Sequence, residues 1–296
     1  MTHPDVGGLP DEVLRALAGH YEIERALGAG GMGSVYLARD RTLDRLVAIK
    51  VVSPELTTSR VIRERFLQEA RTVARLRHPN IVDVHSAGEA GGLLYFVMEY
   101  VPGESLRDRL DRDQAVDGHQ ALTILRDLAR ALAYAHERGI VHRDVKPDNI
   151  LLDRESGCSM LTDFGVARAL SAGDDRLTRT GFVLGSPRYM SPEQAAGDRE
   201  LDGKSDVYSL ALVGYEMFAG EPAVAGTGAQ AIITQQLTQT PPALETRNEQ
   251  VPGVVSDLIG RALSKDPAQR PSAAEMAAVL DDVITSERLA TTPPLA

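Results

Sequence analysis

The first third of the chain alternates short apolar runs with turn residues, a pattern typical of β-structure. Runs rich in apolar and β-branched side chains predict strands over residues 34–39, 47–52 and 93–98. A breaker cluster at residues 78–80 precedes one more apolar run, and we expect a strand over residues 81–84. These runs predict a small sheet in this part of the chain.

Residues 59–76 follow a helical period instead. Glu69 lies on the same helical face as the apolar positions and is expected to point inward with them. Because an inward-facing carboxylate needs a cation, Lys50 in the preceding strand is its predicted partner. The apolar positions recur at i, i+4 and i+7 and are Phe66, Ala70 and Val73.

The remainder of the chain has mainly helical patterns. Apolar residues repeat at helical spacing over residues 121–138, and Gly139 follows as a C-terminal glycine. A strongly apolar helix is expected over residues 206–218 and a short one over residues 11–18. The chain therefore changes from mostly strand to mostly helix along its length.

A glycine-rich segment lies before the first predicted strand. Residues 28–35 read G-x-G-x-x-G-x-V, and glycines let the backbone close over phosphates because no Cβ intervenes. The same spacing begins a helix in dinucleotide-binding folds. Here a strand follows the glycines, so we exclude the dinucleotide interpretation and expect a phosphate-covering loop.

Two short strings place acids, an amide and an ammonium close together, a set that suits phosphoryl transfer. Residues 142–149 read HRDVKPDN and residues 163–165 read DFG. Transfer of a phosphoryl group requires a base for the hydroxyl and neutralisation of spreading negative charge. Asp144 can accept the hydroxyl proton, and Lys146 can contact the transferring phosphate. Asn149 and Asp163 can offer oxygens to magnesium.

These strings, together with the glycine segment, resemble the eukaryotic-type (Hanks-type) serine/threonine protein kinases of bacteria. The resemblance implies an α+β, two-lobed protein kinase fold. Its small lobe is mostly antiparallel β with one key helix, and its larger lobe is mostly helical. It further implies an N-terminal extension (1–20), a catalytic domain (21–284, with small lobe about 21–98, hinge 99–103 and large lobe about 104–284) and a tail or linker (285–296).

The resemblance also assigns a nucleotide site. Lys50 would hold the α- and β-phosphates, and its pairing with Glu69 would act as an activity switch. Asn149 and Asp163 would bind the metal, so the implied cofactors are ATP and Mg²⁺, with Mn²⁺ as an alternative metal. The other implied nucleotide-binding residues are Gly28, Ala29, Gly30, Gly31, Met32, Gly33, Val35, Ala48, Met98, Glu99, Val101 and Leu151.

Several conspicuous polar residues are expected to be structural. Histidine titrates near neutral pH, which suggests a general base, but in the family His142 packs against the phenylalanine that is Phe164 here. The resemblance further implies that Ser186 bonds the catalytic acid and lysine, and that Glu193 and Arg270 form a buried ion pair. It also implies that Asp206 anchors the backbone of the catalytic loop, which is residues 142–149.

An arginine next to the catalytic acid predicts regulation. Arg143 calls for an anionic partner, and phosphorylation of the following loop adds a charge of about −1.5 to −2. Thr178 and Thr180 lie in LTRTG, which is similar to the doubly phosphorylated site of bacterial relatives. The alternative is two solvated threonines in a mobile loop. Because Arg143 is present, we favour autophosphorylation at these threonines.

Composition narrows the compartment and the partners. The 296 residues carry a net charge of −10, which argues against broad nucleic-acid affinity. The one cysteine, Cys158, excludes an internal disulfide and suits a reducing compartment. No apolar stretch approaches the roughly 20 residues that span a bilayer, so we expect a cytoplasmic protein without a membrane segment in this chain.

The sequence therefore predicts an ATP-dependent kinase that acts on serine and threonine hydroxyls of protein substrates. The alternatives are a pseudokinase scaffold, which would lack one of the key polar residues, and a small-molecule kinase. Residues 185–193 resemble the substrate-docking segment of the protein kinases, which argues against a small-molecule kinase. Self-association through the small lobes, or in trans for autophosphorylation, is a further expectation. Glu104 follows the hinge and could reach the ribose or a basic acceptor peptide, although we expect a merely solvated acid there.

Overall fold

A computed structural model describes residues 10–57, 59–113, 116–165, 186–198 and 200–291, with side chains up to residue 286. The chain divides into two compact units. The first unit comprises Met1–Arg77, Val82–Val101 and Gly165–Leu184, and the second comprises His78–Ile81, Pro102–Phe164 and Gly185–Ala296.

The first unit is built on an antiparallel sheet of five strands, in the order β1-β2-β3-β5-β4. The strands predicted over residues 34–39, 47–52 and 93–98 are confirmed as β2, β3 and β5. The elements are α1 (Asp11–Leu17), β1 (Tyr21–Gly30), β2 (Gly33–Asp40), β3 (Arg45–Val52), α2 (Arg60–Val73), β4 (Val84–Ala90) and β5 (Leu93–Glu99).

The two faces of this sheet have different covers. Alternate side chains of a strand point to opposite faces, and those of one set, such as Tyr36 and Ile49, pack with Val13 and Leu17 of α1 in one buried apolar cluster. The opposite set includes Phe96, and its ring meets that of Phe66 on α2 at a centroid distance of 4.3 Å. Each face therefore buries its apolar residues under its own helix.

The second unit is mostly helical, with a small antiparallel sheet in the order β6-β7-β8. An α+β chain with one β-rich part and one helical part is therefore confirmed. The elements of the second unit are β6 (Gly103–Ser105), α3 (Leu106–Asp113), α4 (Gly118–His136), β7 (Ile150–Asp153), β8 (Ser159–Leu161), α5 (Pro192–Ala196), α6 (Gly203–Ala219), α7 (Ala229–Thr238), α8 (Gly253–Ala262) and α9 (Ala273–Thr291).

Helix α6 lies at the centre of the second unit. Every residue from Ser205 to Phe218 is buried, as expected for a helix that is apolar on all sides. Helix α4 packs against both α6 and α9. At the α4–α6 contact a Cβ on Gly214 would lie 3.0 Å from both terminal methyl carbons of Leu125, so the missing side chain allows the two helices to approach closely.

The prediction of a strand over residues 81–84 is wrong. Strand β4 begins only at Val84, whereas Ile81 makes an isolated parallel bridge to Leu161 within the second unit. Ile81 and Val82 are buried, so their apolar character reflects burial and not membership of the sheet. The strand itself, VHSAGEA, has no apolar alternation and gave no signal.

The helices are confirmed, but several boundaries differ from the predictions. Helix α2 ends at Val73 rather than at residue 76. Helix α4 begins at Gly118 because the Asp117 side chain accepts hydrogen bonds from two amides of its first turn. Helix α6 begins at Gly203, where Asp202 caps the amide of Lys204. Apolar periodicity alone does not register these polar caps.

Candidate active site

The glycine-rich segment forms the hairpin between β1 and β2, and a strand follows it as expected. A Cβ atom on Gly28, Gly30 or Gly31 would meet nothing within 4 Å, so the space beside this backbone is open. Gly33 differs, because its φ is +137° and a Cβ there would lie 2.0 Å from the carbonyl oxygen of Val51. Packing against β3 requires Gly33, whereas the other glycines leave room for phosphates. Ala29 and Met32 lie in the same hairpin.

Four predicted nucleotide-binding residues share one face of the sheet. In the antiparallel register Val35 pairs with Lys50, and Ala48 pairs with Met98. Paired residues, and residues two apart in a strand, point to the same side. This face is opposite the one that α1 covers. Lys50 is only 6% exposed, and a buried ammonium is stable only beside an anion.

Helix α2 lies on the same sheet face as Lys50. The register pairs Lys50 with Phe96, and Phe96 is the residue whose ring contacts Phe66 of α2. Phe66, Ala70 and Val73 are buried on this helix, as predicted, and Glu69 among them is half-buried. The ion pair between Lys50 and Glu69 stays a prediction.

Gly165, the last residue of the DFG string, belongs to the first unit. Its φ is +71°, and a Cβ there would lie 3.0 Å from Cγ2 of Val73 and 3.9 Å from Oε2 of Glu69. Both neighbours are on α2. Any side chain at this position would therefore crowd the helix face that carries Glu69, and glycine also tolerates the left-handed backbone.

The predicted hinge offers backbone groups. The amide of Glu99 donates to the carbonyl oxygen of Asp83 at 2.9 Å, so a contact from Glu99 to adenine has to use its carbonyl. Val101 is the last residue of the segment Val82–Val101 of the first unit, and it is half-buried. Leu151 lies on β7 of the second unit, paired with Met160, and its contact with adenine stays a prediction.

A buried carboxylate holds the start of the catalytic loop, as predicted. Asp206, at the first turn of α6, is 1% exposed. Its Oδ2 accepts from the amide of His142 and its Oδ1 from the amide of Arg143, both at 2.8 Å. The φ of Arg143 is +69°, a left-handed backbone that non-glycine residues rarely adopt. The two bonds to Asp206 stabilise this strained turn, where functional groups often lie.

The catalytic-loop acid, amide and lysine form one cluster. Oδ2 of Asp144 accepts from Nζ of Lys146 at 2.8 Å and from Nδ2 of Asn149 at 3.0 Å. Nδ2 of Asn149 also donates to the backbone carbonyl of Asp144 at 2.8 Å. These bonds fix the Asp144 carboxylate through one oxygen, and the second oxygen is the natural acceptor for a hydroxyl proton.

The contacts of His142 define its tautomer and exclude it as a base. The amide of Asp144 donates to its Nδ1 at 3.2 Å, so the ring proton must lie on Nε2, which contacts the carbonyl oxygen of Thr162 at 2.8 Å. The ring is fully buried and packs edge-on against Phe164, with centroids 4.5 Å apart. This burial and ring contact are consistent with the structural role predicted for His142 and Phe164, which stays a prediction.

Asn149 and Asp163 are suited to a cation. The amide of Thr162 donates to the carbonyl oxygen of Asn149 at 3.0 Å, which ties the strand before Asp163 to the catalytic loop. Asp144 occupies the donor half of the Asn149 amide, so its oxygen remains for a metal. Asp163 has a φ of +69°. Magnesium characteristically uses one or two protein carboxylates together with substrate phosphates. Among the described residues no group of three or more His, Cys, Asp or Glu could hold a metal.

The described part of the chain resumes at Ser186. Its carbonyl accepts from the amide of Tyr189 in a short 3-10 turn, and the side-chain bonds implied for Ser186 stay a prediction. Ser191 and Gln194 form a capping box at the start of α5. Nε2 of Gln194 also donates to the carbonyl oxygen of Arg143 at 2.7 Å. Gln194 therefore joins this segment to the catalytic loop.

The predicted ion pair between Glu193 and Arg270 is present. Nη1 and Nη2 of Arg270 bond the two carboxylate oxygens of Glu193 at 2.7 and 2.9 Å. Burial alone would raise the pKa of Glu193, but the hydrogen bonds from Arg270 and Ser205 outweigh it and hold that pKa below its ordinary value. The guanidinium lies over the ring of Tyr208, with its carbon 4.8 Å from the ring centroid.

Some functional residues were missed or misjudged. The roles of Ser191 and Gln194 were missed, although S-x-x-Q is a capping-box pattern. Glu104 is not merely solvated, because it bonds Arg109 and Arg112, and the bonds from Arg112 and Arg109 hold its pKa below its ordinary value. The predicted phosphosites Thr178 and Thr180 lie outside the described residues.

Comparison with known proteins identifies the family. The protein kinase domain family matches residues 21–279. The chain is 43% identical over 263 residues to serine/threonine-protein kinase PknJ of Mycobacterium tuberculosis, covering 87% of this chain and 44% of that protein. It is 40% identical over 276 residues to serine/threonine-protein kinase PrkC of Bacillus subtilis, covering 93% of this chain and 42% of that protein. The chain spans less than half the length of these curated relatives.

A solved structure shows the same fold. The crystal structure of the PknI kinase domain from Mycobacterium tuberculosis aligns with a TM-score of 0.69 at 33% identity, covering 89% of this chain and 95% of that chain. The chain belongs to the protein kinase domain family, in its bacterial serine/threonine branch, and has the expected kinase fold. No helix in the described part of the chain combines the length and apolarity needed to cross a bilayer.

Proposed function

We propose that this chain is the catalytic domain of a serine/threonine protein kinase that transfers the γ-phosphate of ATP to protein hydroxyls. The observation that carries the proposal is the Asp144–Lys146–Asn149 cluster, held on a backbone that Asp206 fixes. A general base, a cation and a metal-binding amide are the groups that this transfer requires. The named relatives are serine/threonine kinases, which supports the same activity.

Asp144 would orient the acceptor hydroxyl and take its proton. Its Oδ2 lies 2.8 Å from Nζ of Lys146, and both side chains are mostly buried, which strengthens the field at the reacting hydroxyl. Lys146 would then bind the transferred phosphoryl oxygens from the same position. Lys146 also supports Ser/Thr specificity, because tyrosine-directed relatives of the family carry a different residue set in this loop.

The first unit would hold the nucleotide. Lys50 would bind the α- and β-phosphates with Glu69 as its counter-charge, and the open backbone at the β1–β2 hairpin would cover them. Asn149 and Asp163 would hold Mg²⁺ or Mn²⁺, which neutralises phosphate charge when bound. The adenine ring would lie among Val35, Ala48, Met98 and Leu151 and bond the backbone of Glu99 and Val101.

Regulation and context extend the proposal. Phosphorylation of Thr178 and Thr180 would place an anion for Arg143, and self-association through the first unit would favour transfer in trans. We propose a catalytic domain over residues 21–284, flanked by an extension and a tail, that works on protein substrates in the cytoplasm. The proposal also covers the kinase activity and the protein substrates of any longer protein that contains this domain.

Phosphosite mapping tests this function against its alternatives. The purified chain is incubated with radiolabelled ATP, Mg²⁺ and myelin basic protein, and labelled residues are mapped by mass spectrometry. A serine/threonine kinase labels serine and threonine of the acceptor and of its own loop. A pseudokinase scaffold gives no labelled protein. Label on tyrosine alone, or on an added aminoglycoside and not on protein, would replace the proposal.

A further inference from the structure

A series of hydrogen-bonded polar side chains packs against the segment Ser186–Met190, here called the docking segment. Its members come from three places in the second unit: Tyr208 on α6, Gln236 on α7 and Lys265 after α8. Tyr208 and Gln236 are fully buried, and Lys265 is half-buried. A buried amide requires partners for both its donor and its acceptor, and here those partners lead to the docking segment.

The direction of each hydrogen bond follows from the donors. The ammonium of Lys265 only donates, and it contacts the Tyr208 hydroxyl and the backbone carbonyl of Gln236, both at 2.7 Å. The Tyr208 hydroxyl therefore gives its own proton to Oε1 of Gln236 at 2.9 Å. This bond fixes the orientation of the Gln236 amide, so that its NH₂ group points to the docking segment.

The NH₂ group of Gln236 ends on the backbone. Nε2 donates to the carbonyl oxygen of Arg188 at 2.7 Å and lies 3.4 Å from that of Pro187. The next carbonyl, that of Tyr189, accepts from the Ser209 hydroxyl at 2.7 Å. The carbonyl of Pro187 also accepts from the amide of Met190 at 3.3 Å within the 3-10 turn. Side chains from α6 and α7 thus donate to the carbonyls of Arg188 and Tyr189 and help to define the shape of the segment.

We infer that Gln236 is a positioning residue for the protein acceptor, and that the Tyr208 hydroxyl acts through it. The inference rests on the proposed kinase function and on the resemblance of residues 185–193 to the segment with which the family docks its substrates. Loss of the amide leaves the partly buried carbonyl of Arg188 without its donor, so the segment shifts to find water. Acceptor binding then weakens, whereas ATP binding does not change.

Steady-state kinetics with myelin basic protein measure the effect. Gln236→Met keeps the side-chain volume and removes the donor, and it should raise the acceptor KM about five- to tenfold, the loss expected for one hydrogen bond, with the ATP KM unchanged. Tyr208→Phe should give a smaller increase. The double variant should match Gln236→Met alone, because the hydroxyl acts through the amide. Gln230→Met, an exposed glutamine on the same helix, is the matched control.

Hydrogen–deuterium exchange provides a readout that does not need activity. Peptides covering the docking segment should exchange faster in Gln236→Met than in the wild type and in Gln230→Met, while peptides of the β1–β5 sheet stay the same. Faster exchange in Gln236→Met, combined with a wild-type chain that labels no protein, would retain the role of Gln236 in shaping the segment and contradict only the kinase function. Unchanged exchange with an unchanged acceptor KM, or additive effects of the two substitutions, would overturn the inference.

Discussion

The strongest test of the second unit's architecture is Arg270→Met. All five N–H donors of this guanidinium are used. Nε bonds the carbonyl of Ser264, and the two Nη atoms bond the carbonyls of Lys204 and Lys265 and both oxygens of Glu193. The Arg270 side chain is 0% exposed and that of Glu193 is 13% exposed. Methionine keeps most of the apolar stem beside Tyr208 and removes every donor.

The expected cost follows from this burial. Breaking a buried ion pair by removing one partner costs about 3–5 kcal/mol, since the other charge stays buried. The slight exposure of Glu193 lets water reach its carboxylate, so we expect a value near 3 kcal/mol. A loss of this size is a large fraction of the roughly 5–15 kcal/mol that stabilises a typical domain.

Urea denaturation followed by circular dichroism measures the free energy of unfolding. Arg261→Met, an exposed arginine on α8, is the control and should stay within about 0.5 kcal/mol of wild type. Adding Glu193→Gln to Arg270→Met should recover part of the loss, because no unpaired charge remains. A change below about 1 kcal/mol for Arg270→Met would refute this reasoning.

Two further predictions concern a positioning bond and a buried amine. Gln194→Glu keeps the capping-box acceptor for the amide of Ser191 but removes the donor to the Arg143 carbonyl, so kcat should fall about tenfold. The control variant Ser191→Ala should keep a kcat close to that of the wild type. Equal kcat values for the two variants would contradict this prediction. Burial, aided by Arg270, lowers the pKa of Lys265 to about 8 from 10.5. Between these two pH values the unfolded chain binds more protons than the folded chain, so the free energy of unfolding rises with pH. Lys265→Met should reduce this rise when denaturation is measured at pH 8 and 9.5. An identical rise in the variant and the wild type would contradict the lowered pKa of Lys265.

Local patterns in the sequence predicted the elements that bury one face. Phe66, Ala70 and Val73 repeat at helical spacing, and they are buried on α2 because one face of this helix packs on the sheet. The strands β6 and β8 have three residues each, too few to show a period, and they were not predicted. The predicted position of strand β4 was wrong because the polar composition of this strand shows no apolar alternation.

The candidate site divides in the same way. Residues in contiguous strings, such as Asp144 and Asn149, could be assigned from the sequence because the family motif is local. The bond between Gln236 and Arg188 joins residues 48 positions apart, and no local pattern records it. Glu104 also depended on tertiary partners. Polar networks of this kind are set by the packed fold, so only the structure could give them.

The measurement that tests the central claim most directly is phosphate transfer by Asp144→Asn beside Asp148→Asn. Asp144 is held within the cluster by Lys146 and Asn149, whereas Asp148 lies exposed in the same loop. Single-turnover labelling of myelin basic protein by folded, ATP-binding enzyme should be abolished in Asp144→Asn and retained in Asp148→Asn. Labelling by Asp144→Asn at the wild-type rate would contradict the role of this carboxylate and the account built on it.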